Sequence, residues 1–134
     1  MVSRLLLCVF FALVATAVAS AAPRATTDLN IVVWPHSKGG TGVKRWTLRC
    51  GPVGGTLPNA ARACRNLAPL ARPFAPVPAG VACSDVYSGP QVARVQGTFR
   101  GRRVSAMFKR TDSCETARWA RVGFLFPIRM RSHS

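Results

Sequence analysis

Residues 91–110, QVARVQGTFRGRRVSAMFKR, decide the fold because two alternating patterns in them flank a short turn. The small and apolar positions of the two halves are Ala93, Val95, Gly97, Phe99, Val104, Ala106 and Phe108. Alternation with polar neighbours is typical of strands that bury one face. A two-residue turn at Gly101-Arg102 would pair Phe99 with Val104 and place both apolar sets on one face. The stretch therefore predicts an antiparallel hairpin.

Three more strands are predicted outside this hairpin. Leu29–Trp34 is rich in β-branched and aromatic residues, and Pro35 ends it. Residues 45–50, RWTLRC, alternate strictly, which indicates a half-buried strand with a basic exposed face. Val122–Phe126 is short and apolar, and it predicts the last strand of five.

Two helices are predicted between these strands. Residues 56–67 start a helix that Thr56 or Asn59 can cap, and Pro58 suits an early helical position. Its inward face is formed by residues at spacings of three and four, namely Ala60, Ala63, Cys64 and Leu67. Cys114–Ala120 predicts a short second helix.

The start of the chain is typical of a secretory signal peptide. Within residues 1–22, a positive opening precedes an apolar run and a group of small residues. We therefore expect a secreted, extracellular protein with no membrane span in its mature form. Residues 23–28 are predicted to be a loose tail, residues 29–126 one domain, and residues 127–134 a basic C-terminal tail.

The cysteines fit an oxidising compartment. Cys8 lies in the predicted signal peptide, which leaves Cys50, Cys64, Cys83 and Cys114. An even number in a small secreted domain indicates two disulfides, and three pairings are open. Their wide, uneven spacing and the exported context argue against a zinc site, so no metal or cofactor is expected.

The charge is strongly positive, since 19 Lys and Arg stand against four Asp and Glu and give a formal net charge of +15. We expect such a chain to attract polyanions non-specifically. The predicted hairpin tip, with Arg100 facing Arg103, is either a solvated end or a binding site. His36 lies in a polar loop and His133 is next to last, so neither is placed in a catalytic constellation. The chain is therefore predicted not to be an enzyme, a basic ribonuclease being the enzyme alternative.

One short stretch, Cys83–Tyr87, has the chemistry of a presented peptide. It follows the proline-punctuated Pro73–Pro78 and precedes the turn signal Ser88–Pro90. Prolines fix φ and keep the preceding residue extended, so the stretch should be exposed and restrained. Protease clefts bind peptides of this kind by adding them as a strand. The alternative is an ordinary surface loop stapled by a disulfide.

These residues together resemble the subtilisin inhibitor-like family of secreted proteins. The motifs that carry the resemblance run in order as Val33-Trp34-Pro35, Trp46–Cys50, Gly54-Gly55-Thr56, Ala63-Cys64, Leu67, Pro73–Pro78, Cys83, Tyr87–Gln91, Gly97–Gly101, Cys114-Glu115 and Arg118-Trp119. The resemblance implies an α+β fold in which a five-stranded antiparallel sheet carries two helices on one face. It also implies disulfides Cys50–Cys64 and Cys83–Cys114, and a homodimer formed through the sheet face.

For function, the resemblance implies inhibition of subtilisin-like serine proteases, with Asp85–Val86 presented as the reactive bond. The expected protease-contact residues around that bond are Ala82, Cys83, Ser84, Tyr87 and Ser88. Asp85 departs from the pattern, because subtilisin-type pockets prefer larger, uncharged side chains and a buried unpaired carboxylate costs several kcal/mol. The target then has a basic or solvated pocket, or inhibition is weak or lost. A cationic secreted binding protein on the same scaffold is the alternative function.

Overall fold

The computed structural model describes residues 17–19 and 26–129 of the chain. Four strands are present there: β1 Thr27–Trp34, β2 Lys44–Cys50, β3 Val92–Phe99 and β4 Arg102–Phe108. The α-helices of this part are α1 Ala60–Leu67 and α2 Ser113–Val122, and the 3₁₀ turn Gly123–Leu125 follows α2. No helix among these residues is long and apolar enough to span a bilayer. Most of the predicted signal peptide and of the basic tail lies outside the described residues.

The strands form one antiparallel sheet in the order β2-β1-β3-β4. β1 lies in the middle and begins two residues earlier than predicted, because Thr27 already pairs with Cys50 of β2. Further along β1, Ile31 sits opposite Trp46 of β2 and Val95 of β3. The predicted α+β class with two helices is confirmed, but the sheet of the described residues has four strands, not five.

The predicted fifth strand over Val122–Phe126 is wrong. Val122 completes α2, and the residues after it form the 3₁₀ turn. Burial follows the helical spacing, because Val122, Leu125 and Phe126 are buried while Phe124 is only partly so. The ring of Phe126 packs 4.7 Å from that of Trp119, between centroids. Tertiary packing onto this aromatic cluster overrides the β propensity of the segment.

The hairpin forms as predicted, but its turn lies one residue earlier. Arg100 and Gly101 have φ of 49° and 77°, so both turn residues are left-handed, as a type I′ turn requires. Phe99 consequently pairs with Arg102, and Gly97 with Val104. The predicted pairing of Phe99 with Val104 is therefore wrong by two residues. A shift of two preserves the faces, so the same side chains still point to the core.

Long-range contacts hold Arg100 in this turn. Its backbone N–H donates to Thr27 Oγ1 at 3.2 Å, and its guanidinium donates to the carbonyl groups of Leu67, Ala68 and Leu70 at the end of α1. A cation near the last carbonyls of a helix is stabilising. Arg100 thus satisfies carbonyl groups at the end of α1, and it does not face Arg103 across the hairpin tip as predicted, because Arg103 pairs with Thr98.

α1 is shorter than predicted and begins at Ala60. Thr56 does not cap it, because Thr56 exchanges two hydrogen bonds with Thr47 of β2, at 3.0 and 3.1 Å. Asn59 occupies the cap position with φ of 56° and forms no side-chain cap bond. The threonine pair thus fixes the connection between β2 and α1 to β2 itself.

A single hydrophobic cluster joins the inner face of the sheet to both helices. Its sheet members include Leu29, Ile31, Val33, Leu48, Val95 and Phe108, and its helical members are Ala63, Leu67, Trp119 and Val122. The disulfides implied by the resemblance are confirmed, since Cys50 is joined to Cys64 and Cys83 to Cys114. The first links β2 to α1, and the second links the long 68–91 connection to α2.

Candidate functional site

Residues 79–87 are all exposed, in a connection that forms no regular secondary structure. Val86 and Tyr87 expose 57% and 65% of their surface, which places them among the most exposed large apolar residues described. Exposed apolar side chains clustered on one loop are typical of interaction sites. The structure therefore places the predicted reactive bond Asp85–Val86 at the surface, together with the predicted contact residues from Ala82 to Tyr87. Ser88 is partly buried.

The loop is fixed to α2 just before Asp85. The disulfide joins Cys83 to Cys114, and the Ser84 N–H donates to Ser113 Oγ at 2.9 Å. In return, the Ser113 N–H donates to the Ser84 carbonyl at 3.0 Å. One covalent bond and two hydrogen bonds therefore restrain two consecutive loop residues against the first turn of the helix.

Asp85 sits at the centre of a tight three-residue turn. The Val86 N–H donates to the Ser84 carbonyl at 2.8 Å, which bends the chain around Asp85. The Asp85 carboxylate forms no hydrogen bond or ion pair with any of the described residues. The backbone at this position is thus restrained, while the side chain is left available to a partner.

The far end of the loop is anchored to the residues that follow β4. The Ser88 N–H donates to the Arg110 carbonyl at 2.8 Å, and the Arg110 guanidinium donates to Gln91 Oε1 at 2.9 Å. Gly89 has φ of 140°, a backbone conformation that residues with a Cβ rarely adopt. Glycine is therefore favoured where the loop returns to β3.

The near end of the loop is anchored in the core. Phe74 is buried, and its ring packs edge-on against Phe99 and Phe108 at centroid distances of 5.3 and 6.5 Å. Such edge-to-face pairs add to the gain from burial. The prolines that follow Phe74 limit the freedom of the chain between this anchor and Cys83.

Arg118 of α2 links the loop, the helix and the sheet. Its Nε donates to the Ala75 carbonyl at 2.9 Å and its Nη1 to the Met107 carbonyl at 3.2 Å. Glu115 forms an ion pair with the same guanidinium at 2.7 Å, and the guanidinium lies over the Phe108 ring. The sequence indicates Arg118 only as part of a motif, and it does not predict this positioning role because most of the partners are distant along the chain.

The N-terminus of α2 is well defined, which matters because it carries Ser113 and Cys114. Asp112 is the N-cap residue, and its Oδ1 accepts a hydrogen bond from the Glu115 N–H at 2.9 Å. Asp112 also lies within 4.8 Å of the sulfurs of Cys83 and Cys114, a spacing that would suit a metal ion. Both sulfurs are consumed by the disulfide, so this group is structural.

The described residues bring together no other cluster of three metal-ligating side chains. His36 is exposed in the β1–β2 connection, far in sequence from the loop, and His133 lies outside the described residues. What the arrangement offers chemically is a peptide segment that is exposed at 79–87 and restrained on both sides.

The comparisons with known proteins agree with this geometry. A family model described as subtilisin inhibitor-like matches residues 25–112, which is more than half of the chain. The match spans all four strands, α1 and the exposed loop, and it ends at the residue that caps α2. A search of curated proteins finds no match.

Proposed function

Because the chain belongs to the subtilisin inhibitor-like family, we propose that it inhibits a serine protease by presenting Asp85–Val86 as a substrate-like bond. The family consists of inhibitors rather than enzymes. The observation that carries the proposal is the loop itself, in which a peptide bond between two exposed residues lies between residues anchored to α2 and to the end of β4.

The anchors explain how the bound loop would inhibit the protease rather than be hydrolysed by it. The protease serine would attack the Asp85 carbonyl carbon, forming an acyl ester as the bond to the Val86 nitrogen breaks. Cys83 and Ser84 hold the acyl side against α2, and Ser88 holds the amine side at Arg110. The amine therefore stays beside the ester and re-forms the peptide bond, expelling the protease serine.

Restraint of the loop would also favour tight binding. A flexible peptide loses backbone and side-chain entropy when it is ordered in a cleft, whereas this loop is ordered before it binds. Ala82, Cys83 and Ser84 would pair with the protease as an added strand, and Val86 and Tyr87 would occupy the far side of the cleft.

The test is titration of a panel of secreted serine proteases, a subtilisin among them, with the purified protein, followed by mass analysis of the slowly cleaved inhibitor. We expect stoichiometric inhibition of at least one enzyme of the panel and one cut, between Asp85 and Val86. A Val86→Ala variant should weaken inhibition by about tenfold, roughly 1.4 kcal/mol. Val53→Ala is the matched control, because Val53 exposes 52% of its surface in a different loop. A cut elsewhere, or equal effects of both variants, would exclude the proposed bond.

A second candidate function, binding of polyanions, is favoured by the outer face of the sheet. The strand register places Arg45 and Arg94 on either side of Val32, and Arg49 beside Asp28. Arg45 and Arg49 are exposed, and none of these arginines forms an ion pair within the described residues. A cationic array of this kind would bind polyanions in a salt-dependent manner.

Homodimerisation through the sheet face stays a prediction. The same arginines would approach their copies across a two-fold axis, and like charges repel there. A dimer formed through this face should therefore be strengthened by salt, which screens the charges. Sedimentation equilibrium at low and high salt tests this, and a dimer that weakens as salt rises would exclude the sheet face.

A further inference from the structure

Asp85 is the single charged residue between positions 73 and 93. The whole chain carries 19 Lys and Arg against four Asp and Glu, so a loop with one acidic and no basic residue is unlike the rest of the protein. The charge lies at the position proposed to enter the primary pocket of the protease. A protease that binds this loop must therefore accommodate a carboxylate in that pocket.

Nothing within the described residues uses this carboxylate. Asp112 caps α2 and Glu115 pairs with Arg118, so two of the other three acids have structural partners. Exposed Arg72 and Arg121 border the groove beside Val81, yet neither pairs with Asp85. The Asp85 side chain therefore neither stabilises its own fold nor is neutralised by it.

We infer that the partner of this loop is a serine protease with a basic primary pocket, one that cleaves after acidic residues. An apolar pocket would strip water from the carboxylate without returning a hydrogen bond, which is costly. A pocket lined by an arginine, lysine or protonated histidine would replace that water with short, charge-assisted hydrogen bonds. The inference rests on the proposed function, because it assumes that Asp85 enters the pocket.

The restraint of the loop sharpens this selectivity. Ser84 and Val86 are connected across Asp85 by a hydrogen bond of 2.8 Å, and Ser84 is bonded to Ser113. These bonds restrain the backbone, so the Asp85 carboxylate cannot move out of the pocket into water while Ser84 and Val86 stay bound in the cleft. Against an apolar pocket the charge acts as a barrier, and against a basic pocket it acts as the anchor.

The experiment compares inhibition constants against two secreted enzymes, a glutamyl-specific serine endopeptidase and a subtilisin. We expect the glutamyl-specific enzyme to be inhibited at least about tenfold more strongly. Asp85→Asn keeps the size of the side chain and removes its charge, so it should weaken that inhibition by about tenfold or more. Asp85→Glu should retain it, and neither variant should weaken inhibition of the subtilisin. Circular dichroism confirms that the variants fold alike.

The outcomes separate this inference from the proposed function. If the subtilisin is inhibited with a cut after Asp85 while the glutamyl-specific enzyme is not, the inferred partner is wrong and the proposed function stands. Equal inhibition of the glutamyl-specific enzyme by the parent and by Asp85→Asn also overturns the inference. If neither enzyme is inhibited, even by a variant with an apolar residue at position 85, both fail.

Discussion

Arg118 donates a hydrogen bond from Nε to the carbonyl oxygen of Ala75 at 2.9 Å, and this bond ties α2 to the segment that leads into the exposed loop. The same guanidinium reaches the Met107 carbonyl of β4 at 3.2 Å. One side chain therefore sets the distance between the sheet, the helix that holds Cys114, and the start of the loop.

Replacing Arg118 with Met should loosen the loop as well as destabilise the fold. Methionine keeps the packing over Phe108 but leaves the Ala75 and Met107 carbonyls without a donor, which costs about 1–3 kcal/mol. We expect a lower free energy of unfolding and faster hydrolysis of the loop by a bound protease. Arg121→Met is the matched control, because Arg121 is exposed on the same helix. Equal hydrolysis rates for the two variants would contradict a positioning role.

Both disulfides should stabilise the fold, but only Cys83–Cys114 should also protect the loop from hydrolysis. Replacing Cys83 and Cys114 together by Ala removes a cross-link spanning 31 residues, worth about 3–4 kcal/mol on the chain-entropy model. It also frees the acyl side of the loop, so the variant should become a substrate. The pair Cys50→Ala and Cys64→Ala should lower stability by a comparable amount and leave hydrolysis slow, at a temperature where both variants are folded. The measurements are unfolding curves and rates of loop cleavage for the two double variants. Equal cleavage rates for the two would contradict the prediction.

Asp85→Leu should tighten inhibition of a subtilisin by at least about tenfold, roughly 1.4 kcal/mol. Burying an apolar side chain in an apolar pocket contributes roughly 1.5–3 kcal/mol, and the desolvation cost of the carboxylate disappears. The fold should not change, because Asp85 is exposed and its carboxylate forms no hydrogen bond or ion pair with the described residues. Inhibition constants of the parent and the variant provide the measurement. A variant that folds normally but binds no more tightly would show that residue 85 does not enter the pocket.

If the outer sheet face binds polyanions, Arg45→Ser combined with Arg94→Ser should elute from heparin at lower salt than the parent. Neutralising two contacts also reduces the dependence of binding on salt, since fewer counterions are released. Arg62→Ser with Arg65→Ser is a matched control on the exposed side of α1. Elution of both double variants at the same salt would mean that net charge alone determines binding. Inhibition of a protease should be unaffected by either.

Local sequence determined the elements whose partners are near in the chain. The alternation in residues 91–110 predicted the hairpin, and the same pattern in residues 45–50 predicted β2, because side chains of a strand alternate between faces whatever the rest of the fold does. Prolines and a cysteine around Asp85 likewise indicated an exposed, restrained loop through their local chemistry alone. The pairing of the four cysteines came from the family resemblance, since spacing alone left three pairings open.

Tertiary structure decided what depends on distant partners. Val122–Phe126 has the composition of a strand, yet its helical conformation packs the Phe126 ring against Trp119 and Phe108. The turn lies at Arg100-Gly101, one residue earlier than predicted, because Thr27 and the end of α1 hold Arg100 in a left-handed conformation. That conformation costs free energy for any residue with a Cβ, so local sequence alone does not predict it at an arginine. Ser113, Arg110 and Arg118 restrain the loop and its flanks through partners 19 to 43 residues away. Such bonds depend on how the sheet and the helices pack against each other. A local sequence pattern does not predict that packing.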